Sequence, residues 1–271
     1  MKIVNSLIEN ALTVLSLLAT DARSMRLTEV ATRSDLPPSG VHRLLTTLCG
    51  LGWVEQDPET DFYRLSMRLP VLGHRFLVGA RIPNVCQPVL DRLAKQSREL
   101  VRLAVLENEN LTTIGHAQGA QGSLICQSRA FPTLPLHVTA SGKAWLATLP
   151  TEEALRLVLS AGLGKPQEFG PKAITTADAL LKELALTAKR GFGLAVEEAE
   201  PGVSSVASAI KRDDGQIVGA IAIVAPAFRL QGKRVRELAE LAQAGAAELA
   251  DVWPLRALAS GELHVPRLAA S

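Results

Sequence analysis

The chain has 271 residues, of which 47% are hydrophobic and 21% charged, and it carries a formal net charge of +2. That composition excludes disordered and fibrous classes, and the length exceeds one ordinary compact domain, so two domains of unequal size are expected. So small a charge also excludes a chain that is basic throughout, and any nucleic-acid surface has to be local.

Leu7, Ala11, Val14, Leu15 and Leu18 recur at helical spacing, which predicts an amphipathic helix over residues 5–19 with that stripe turned inward. Thr28 precedes "EVATRS" and reads as a hydroxyl N-cap of a short second helix, with Glu29 in its first turn. "SDLPP" breaks the chain, and Pro38 and Ser39 then open a third helix. On that helix Val41, Leu44, Leu45 and Leu48 fall on one face, while Ser39, His42, Arg43 and Thr46 fall on the other, followed by Thr47. A polar face by itself is equally a solvated one. Preceded by a short helix and a tight turn, it describes a helix-turn-helix whose outward side chains reach bases and phosphates in the DNA major groove. "WVEQDPETDFYRLS" alternates like two strands around a turn and adds a hairpin wing. Glu55, Asp57, Glu59 and Asp61 would repel phosphates there, leaving Arg64 and Arg68 to hold the backbone.

The segment "LTEVATRSDLPPSGVHRLLTTLCGLGWVEQDPETDFYRL" resembles the DNA-binding half of the IclR family of bacterial transcription factors, although Gly40 stands where members often carry threonine. The resemblance implies that Thr28, Pro38, Ser39, His42, Arg43, Thr46, Thr47 and Arg64 face double-stranded DNA. Residues 1–66 are therefore expected to form a winged helix-turn-helix.

Leu69, Leu72, Phe76 and Ala80 form one stripe of a helix over residues 67–82. In isolation such a stripe means packing within a domain; the resemblance implies a linker helix used in dimerisation. A larger α+β domain is expected over residues 83–253, with a weakly ordered tail at 254–271. Its expected elements are a helix over residues 85–100, a strand pair "LVRLAVLEN" and "LTTIGHAQ", and a third strand "GSLICQS". Helices at "TASGKAWLATLP", "TEEALRLVLSAG" and "TTADALLKELALTAKRGFG" follow, then a hairpin turning at Asp213, Asp214 and Gly215 and a final helix over residues 233–253.

"PLHVTASGKAWLATLP", "RGFGLAVEEAEPGVSSVASAI" and "DDGQIVGAIAIVAPAFRL" resemble the segments that identify the IclR effector-binding domain. That similarity implies a GAF-like antiparallel-sheet sensor for a small organic molecule, a dimer or dimer of dimers, and action as a regulator, here taken as a repressor, at a palindromic operator. It also places Leu134, Ala140, Ser141, Gly142, Glu198, Ser204, Ser205, Ala222 and Val224 at the effector pocket. The small residues Ala140 to Gly142 either pack closely at a helix start or offer free N–H groups to a carboxylate. Ala195, Ala222 and Val224 replace polar groups found in members that bind small acids. The expected effector is therefore an organic acid with a sizeable apolar or aromatic body.

The rival reading is a small-molecule hydrolase with an appended helix-turn-helix head, using Ser141 as nucleophile and Lys143 as base; no oxyanion site or third partner is evident for it. Cys49, Cys86 and Cys126 are far apart, without metal-ligand spacing to any of the five histidines, and read as buried thiols in a reducing compartment. No apolar run approaches the ~18 residues of a membrane span, and the N-terminus lacks a cleavage signal. A cytoplasmic protein with neither cofactor nor metal is expected.

Overall fold

The computed structural model describes residues 7–21, 24–79, 82–107, 109–121, 125–127, 131, 133–164 and 166–253. The chain divides into two compact units, residues 1–79 and 80–271.

The first unit packs three helices, α1 (Leu7–Asp21), α2 (Leu27–Ser34) and α3 (Pro38–Gly50), against a hairpin of β1 (Val54–Gln56) and β2 (Tyr63–Leu65). Its core is the apolar stripe of each helix, chiefly Val14, Leu18, Val30, Val41, Leu45 and Leu48, closed by Met25, Val54 and Tyr63. The inward stripe expected of α1 holds from Ala11 onward, but Leu7 is exposed, as are Ile8 and Leu12. α2 begins at Leu27 with Arg26 at its N-cap, so Thr28 lies inside the first turn and is not the cap. Asp35 ends α2 in the left-handed conformation (φ 53°), and Pro38 opens α3 at a position where its missing N–H costs nothing. α4 (Arg68–Gly79) closes this unit and has no buried residue; Leu72 and Phe76 are exposed, and Ala80 lies outside the described residues.

The second unit is a five-stranded antiparallel sheet in the order β4-β3-β7-β6-β5. The strands are β3 (Leu100–Glu107), β4 (Asn110–Gln118), β5 (Gly193–Val196), β6 (Val203–Lys211) and β7 (Ile217–Pro226). α5 (Ile82–Ser97) and α9 (Lys233–Asp251) cover one face, where Leu93, Leu103, Val206, Ile221, Ile223 and Leu249 form the main core. α6 (Ala140–Leu146) lies on the other face, with α7 (Thr151–Ala161) and α8 (Ala177–Arg190) outside it. Two glycines permit the close approach of α6 to its neighbours. A Cβ on Gly142 would sit 2.3 Å from the Leu136 carbonyl oxygen, and one on Gly193 would sit 2.0 Å from that of Ala140.

The expected strand "GSLICQS" is corrected in part: residues 125–127 are not in a strand, and the rest of it lies outside the described residues. β5 was not anticipated, because four residues between two glycine-bearing turns give too short a pattern to read. The tail at 254–271 also lies outside the described residues. No helix among the described residues is long and apolar enough to cross a membrane.

Candidate DNA-binding and effector sites

Packing of α3 sorts its side chains cleanly. Val41, Leu44, Leu45 and Leu48 are buried, whereas Pro38, Ser39, His42, Arg43, Thr46 and Thr47 are exposed, and so is Thr28 on α2. The first helical bond of α3 runs from Val41 N–H to the Pro37 carbonyl, so the preceding Ser39 and Gly40 N–H groups point out of the helix end. Thr46 and Thr47 donate their hydroxyls back to the His42 and Arg43 carbonyls at 2.8 and 2.9 Å. They therefore present acceptor lone pairs and methyl groups outward. His42 and Arg43 project from the same surface and carry its donor capacity.

The wing is acidic and largely self-satisfied. Arg64 holds Glu55 across the hairpin at 3.1 Å, a pair exposed enough for a phosphate to compete with it. Asp57 accepts from the Glu59 and Thr60 N–H groups, which hold its carboxyl below the usual carboxylate range. Arg68 donates to the Leu51 carbonyl and stacks over Trp53 at 5.1 Å, so it braces the end of α3.

In the second unit a cavity of about 50 Å³ lies between α6 and the sheet. Leu134, Phe131, Ala104, Ala199, Ala222 and Val224 supply apolar wall; Ser141, Thr139, Thr113 and Arg102 supply polar groups. Arg102 is the residue that the sequence reading missed. It pairs with Ala222 on β7 and with His116 on β4, placing it mid-sheet on the α6 side, half-buried. Burial pulls the guanidinium pKa down, opposed by Cys126 and Glu200, yet an arginine remains a cation.

The residues expected at this pocket are thus only partly brought together. Leu134, Ser141, Ala222 and Val224 line it. Ser205 shares its face of the sheet, opposite Val224, while Ser204 alternates to the α9 side and is buried there. Ala140 and Gly142 are buried by close packing, and the Gly142 N–H donates to the Thr139 hydroxyl at 3.2 Å. The Gly142 N–H is therefore engaged within the helix start.

Glu198 is turned away from the cavity onto Lys143, whose side chain is fully buried. The Lys143 ammonium donates to Glu198 Oε1 at 2.6 Å, the Leu194 carbonyl at 2.8 Å and Glu183 Oε1 at 3.5 Å. Ser141 and Lys143, two residues apart on α6, face different sides, so Lys143 cannot serve Ser141 as a base. His137, just ahead of α6, is 3% exposed, and burial and the Lys143 charge hold its pKa below its ordinary 6.5 against a raising bond to the Leu163 backbone. A depressed histidine adds stability above its unfolded pKa that is lost as pH falls through the folded one. Acidification below about pH 6.5 should lower the urea midpoint of the second unit, and His137→Phe should flatten that slope. An equal slope in both proteins would contradict this account.

Cys86 and Cys126 are buried, the Cys86 thiol being pushed up to about 11 by burial, while Cys49 on α3 is half-buried. Among the described residues no three His, Cys, Asp or Glu side chains gather as a metal site.

Two family models match the chain: the IclR helix-turn-helix domain over residues 7–58 and the C-terminal domain of the bacterial transcriptional regulator IclR over residues 74–251. The HTH-type transcriptional repressor AllR of Escherichia coli K12 is 28% identical over 250 residues, covering 92% of this chain and 91% of that one. AllR of Klebsiella pneumoniae is 30% identical over 239 residues, with 86% of each chain covered. Among solved structures, an IclR transcriptional regulator from Silicibacter sp. TM1040 superposes with a TM-score of 0.80 at 26% identity, covering 91% of this chain and 95% of that one. An IclR homologue from Microbacterium hydrocarbonoxydans in complex with 4-hydroxybenzoate does so at 0.69 and 27%, covering 93% of this chain and all of that one.

Proposed function

Because the chain belongs to the IclR family of bacterial transcriptional regulators, we propose that it represses a promoter by setting the outer face of α3 into operator DNA, and that an organic acid bound in the α6 cavity modulates this. The observation that carries the reading is the two-sidedness of α3: four aliphatics are locked in the core and Ser39, His42, Arg43, Thr46 and Thr47 are left outside. Arg43 reads a guanine edge or holds a phosphate, and His42 contributes beside it. Ser39 and Gly40 N–H groups take a backbone phosphate, and the threonine methyls meet thymine. Thr28 and Arg64 touch the backbone at the edges. The repressor assignment is supported by the AllR relatives.

Self-association through the apolar residues that α4 leaves exposed, Leu72 and Phe76, would present two heads to a palindromic site. In the second unit Arg102 anchors the carboxylate, Ser141 offers a hydroxyl, and Ala222, Val224 and Leu134 meet the apolar body, while the Thr139 hydroxyl is spent on the Pro135 carbonyl at 2.8 Å. The homologue holding 4-hydroxybenzoate supports an aromatic acid as the class. About 50 Å³ is room for roughly three to five waters, less than an aromatic acid fills, so an effector of that size parts the walls as it enters. Binding then favours one assembly over another, which is the thermodynamic requirement for a switch.

Arg43→Ala tests the DNA half. Operator affinity in a gel-shift titration should fall by about ten- to a hundredfold, the scale of one base contact, with an unchanged melting temperature. Unchanged affinity at the same salt would sink the assignment of α3.

A further inference from the structure

Beside the effector cavity, the same unit carries an open groove of about 440 Å³ that no part of the reading above uses. It runs between the segment leading into α6, the C-terminal half of α7 from Leu157, and Gly162, Gly164, Glu168 and Phe169. His137 lines it, 3% exposed, with its ring edge-on to Phe169 at 5.2 Å and 86°. One side of the imidazole bonds to the Leu163 backbone, but Nε2 is buried with no hydrogen-bond partner among the described residues. A buried polar atom left unsatisfied costs free energy that a ligand can return. A neutral ring that donates to Leu163 offers at Nε2 a lone pair, so the atom accepts a hydrogen bond. The rim carries Glu109, which holds Arg156 at 2.6 Å, and Glu168, which is also engaged within the chain. Leu134 and Leu157 make the remaining wall apolar.

We propose that this groove is a second small-molecule site, taking a compact ligand whose hydroxyl or ammonium head donates to His137 Nε2 and whose apolar body lies along Leu134 and Leu157. Its preference is opposite to that of the neighbouring cavity: one is built around an arginine, the other around the imidazole acceptor of His137. Leu134 lines both, so a ligand in the groove bears on the same wall that an effector displaces. Two ligands sharing a wall have linked affinities.

The test uses the full chain at pH 7.5 and fluorine NMR of 4-fluorobenzylamine and 4-fluorobenzyl alcohol, one probe for each head. At least one should bind saturably in the millimolar range, and His137→Phe, which keeps a ring against Phe169 but removes Nε2, should weaken it about tenfold. Ala161→Phe, an exposed substitution at the groove's edge that spares the core, should block it as well. Whichever probe binds identifies the head. Absence of saturable binding for both probes overturns the proposal, as does binding that neither substitution changes. Tight binding of 4-fluorobenzoate that depends on His137 would overturn the donor assignment.

Discussion

Lys143→Ala is expected to destabilise the second unit by about 3–5 kcal/mol, the usual result of removing one partner from a buried ion pair. That is a large fraction of the 5–15 kcal/mol by which a domain is typically stable. The ammonium makes three bonds, to Glu198, Glu183 and the Leu194 carbonyl, from a fully buried position. Alanine leaves Glu183 with Arg190 at 2.6 Å, but strands the Glu198 carboxylate, which has only the Val196 N–H at 3.3 Å besides. Burial pushes the Glu198 carboxyl above the usual carboxylate range, with the Lys143 charge pulling it partly back. A group whose folded pKa is raised contributes stability below its unfolded pKa and loses it as pH rises through the folded one, so at neutral pH the buried carboxylate is a net cost. The double variant Lys143→Met with Glu198→Leu should therefore recover most of the loss. Urea denaturation followed by far-UV circular dichroism reads both, with the buried Trp145 on α6 as a fluorescent reporter of the same unit. A loss under about 1 kcal/mol in the single variant would mean that the surrounding chain relaxes to let water reach Glu198.

Most of the first unit could be read from sequence because its physics is local. Pro38, the spacing of Val41, Leu44, Leu45 and Leu48, and the turn at residues 57–61 each specify structure within a few neighbours. Thr28 misled because a hydroxyl before a helical pattern resembles a cap, and only the backbone shows that the helix has already begun at Leu27. The cavity under α6 is harder to read because it is assembled from strands far apart in sequence. Ser204 and Ser205 cannot both face one side of a strand, and which of them does depends on the register against Val224 and Ala225. The small residues of α6 admitted two explanations, and the contacts at Gly142 and Gly193 show that close packing by itself requires glycine there. Arg102 left one usable signal, a charge in the middle of the otherwise apolar run "LVRLAVL", on the same alternation as Ala104. A charge in such a strand is rare without polar groups around it, which marks the position as one to inspect.

Arg102→Met should abolish sensing without touching DNA binding. A carboxylate entering a cavity walled by Leu134, Ala222 and Val224 gives up its hydration, and the hydroxyl of Ser141 repays only part of that, since the Thr139 hydroxyl already donates to the Pro135 carbonyl. With the Gly142 N–H held by Thr139, the guanidinium is the countercharge within the lining. Truncating one side of a buried charged contact costs about 2–5 kcal/mol, or roughly thirty- to several-thousandfold in affinity. With 4-hydroxybenzoate as probe, calorimetry should register that loss, and the gel-shift response of the operator complex to the acid should vanish while affinity without it stays unchanged. Arg102→Lys should fall between the two, since an ammonium keeps the charge but not the two-pronged geometry. The neutral isostere 4-hydroxybenzyl alcohol separates charge from shape: it should bind weakly and about equally to the wild type and to Arg102→Met. If the acid instead bound both proteins alike, its carboxylate would lie elsewhere, and the assignment of this cavity as the acid-sensing site would fail while that of α3 to DNA stood.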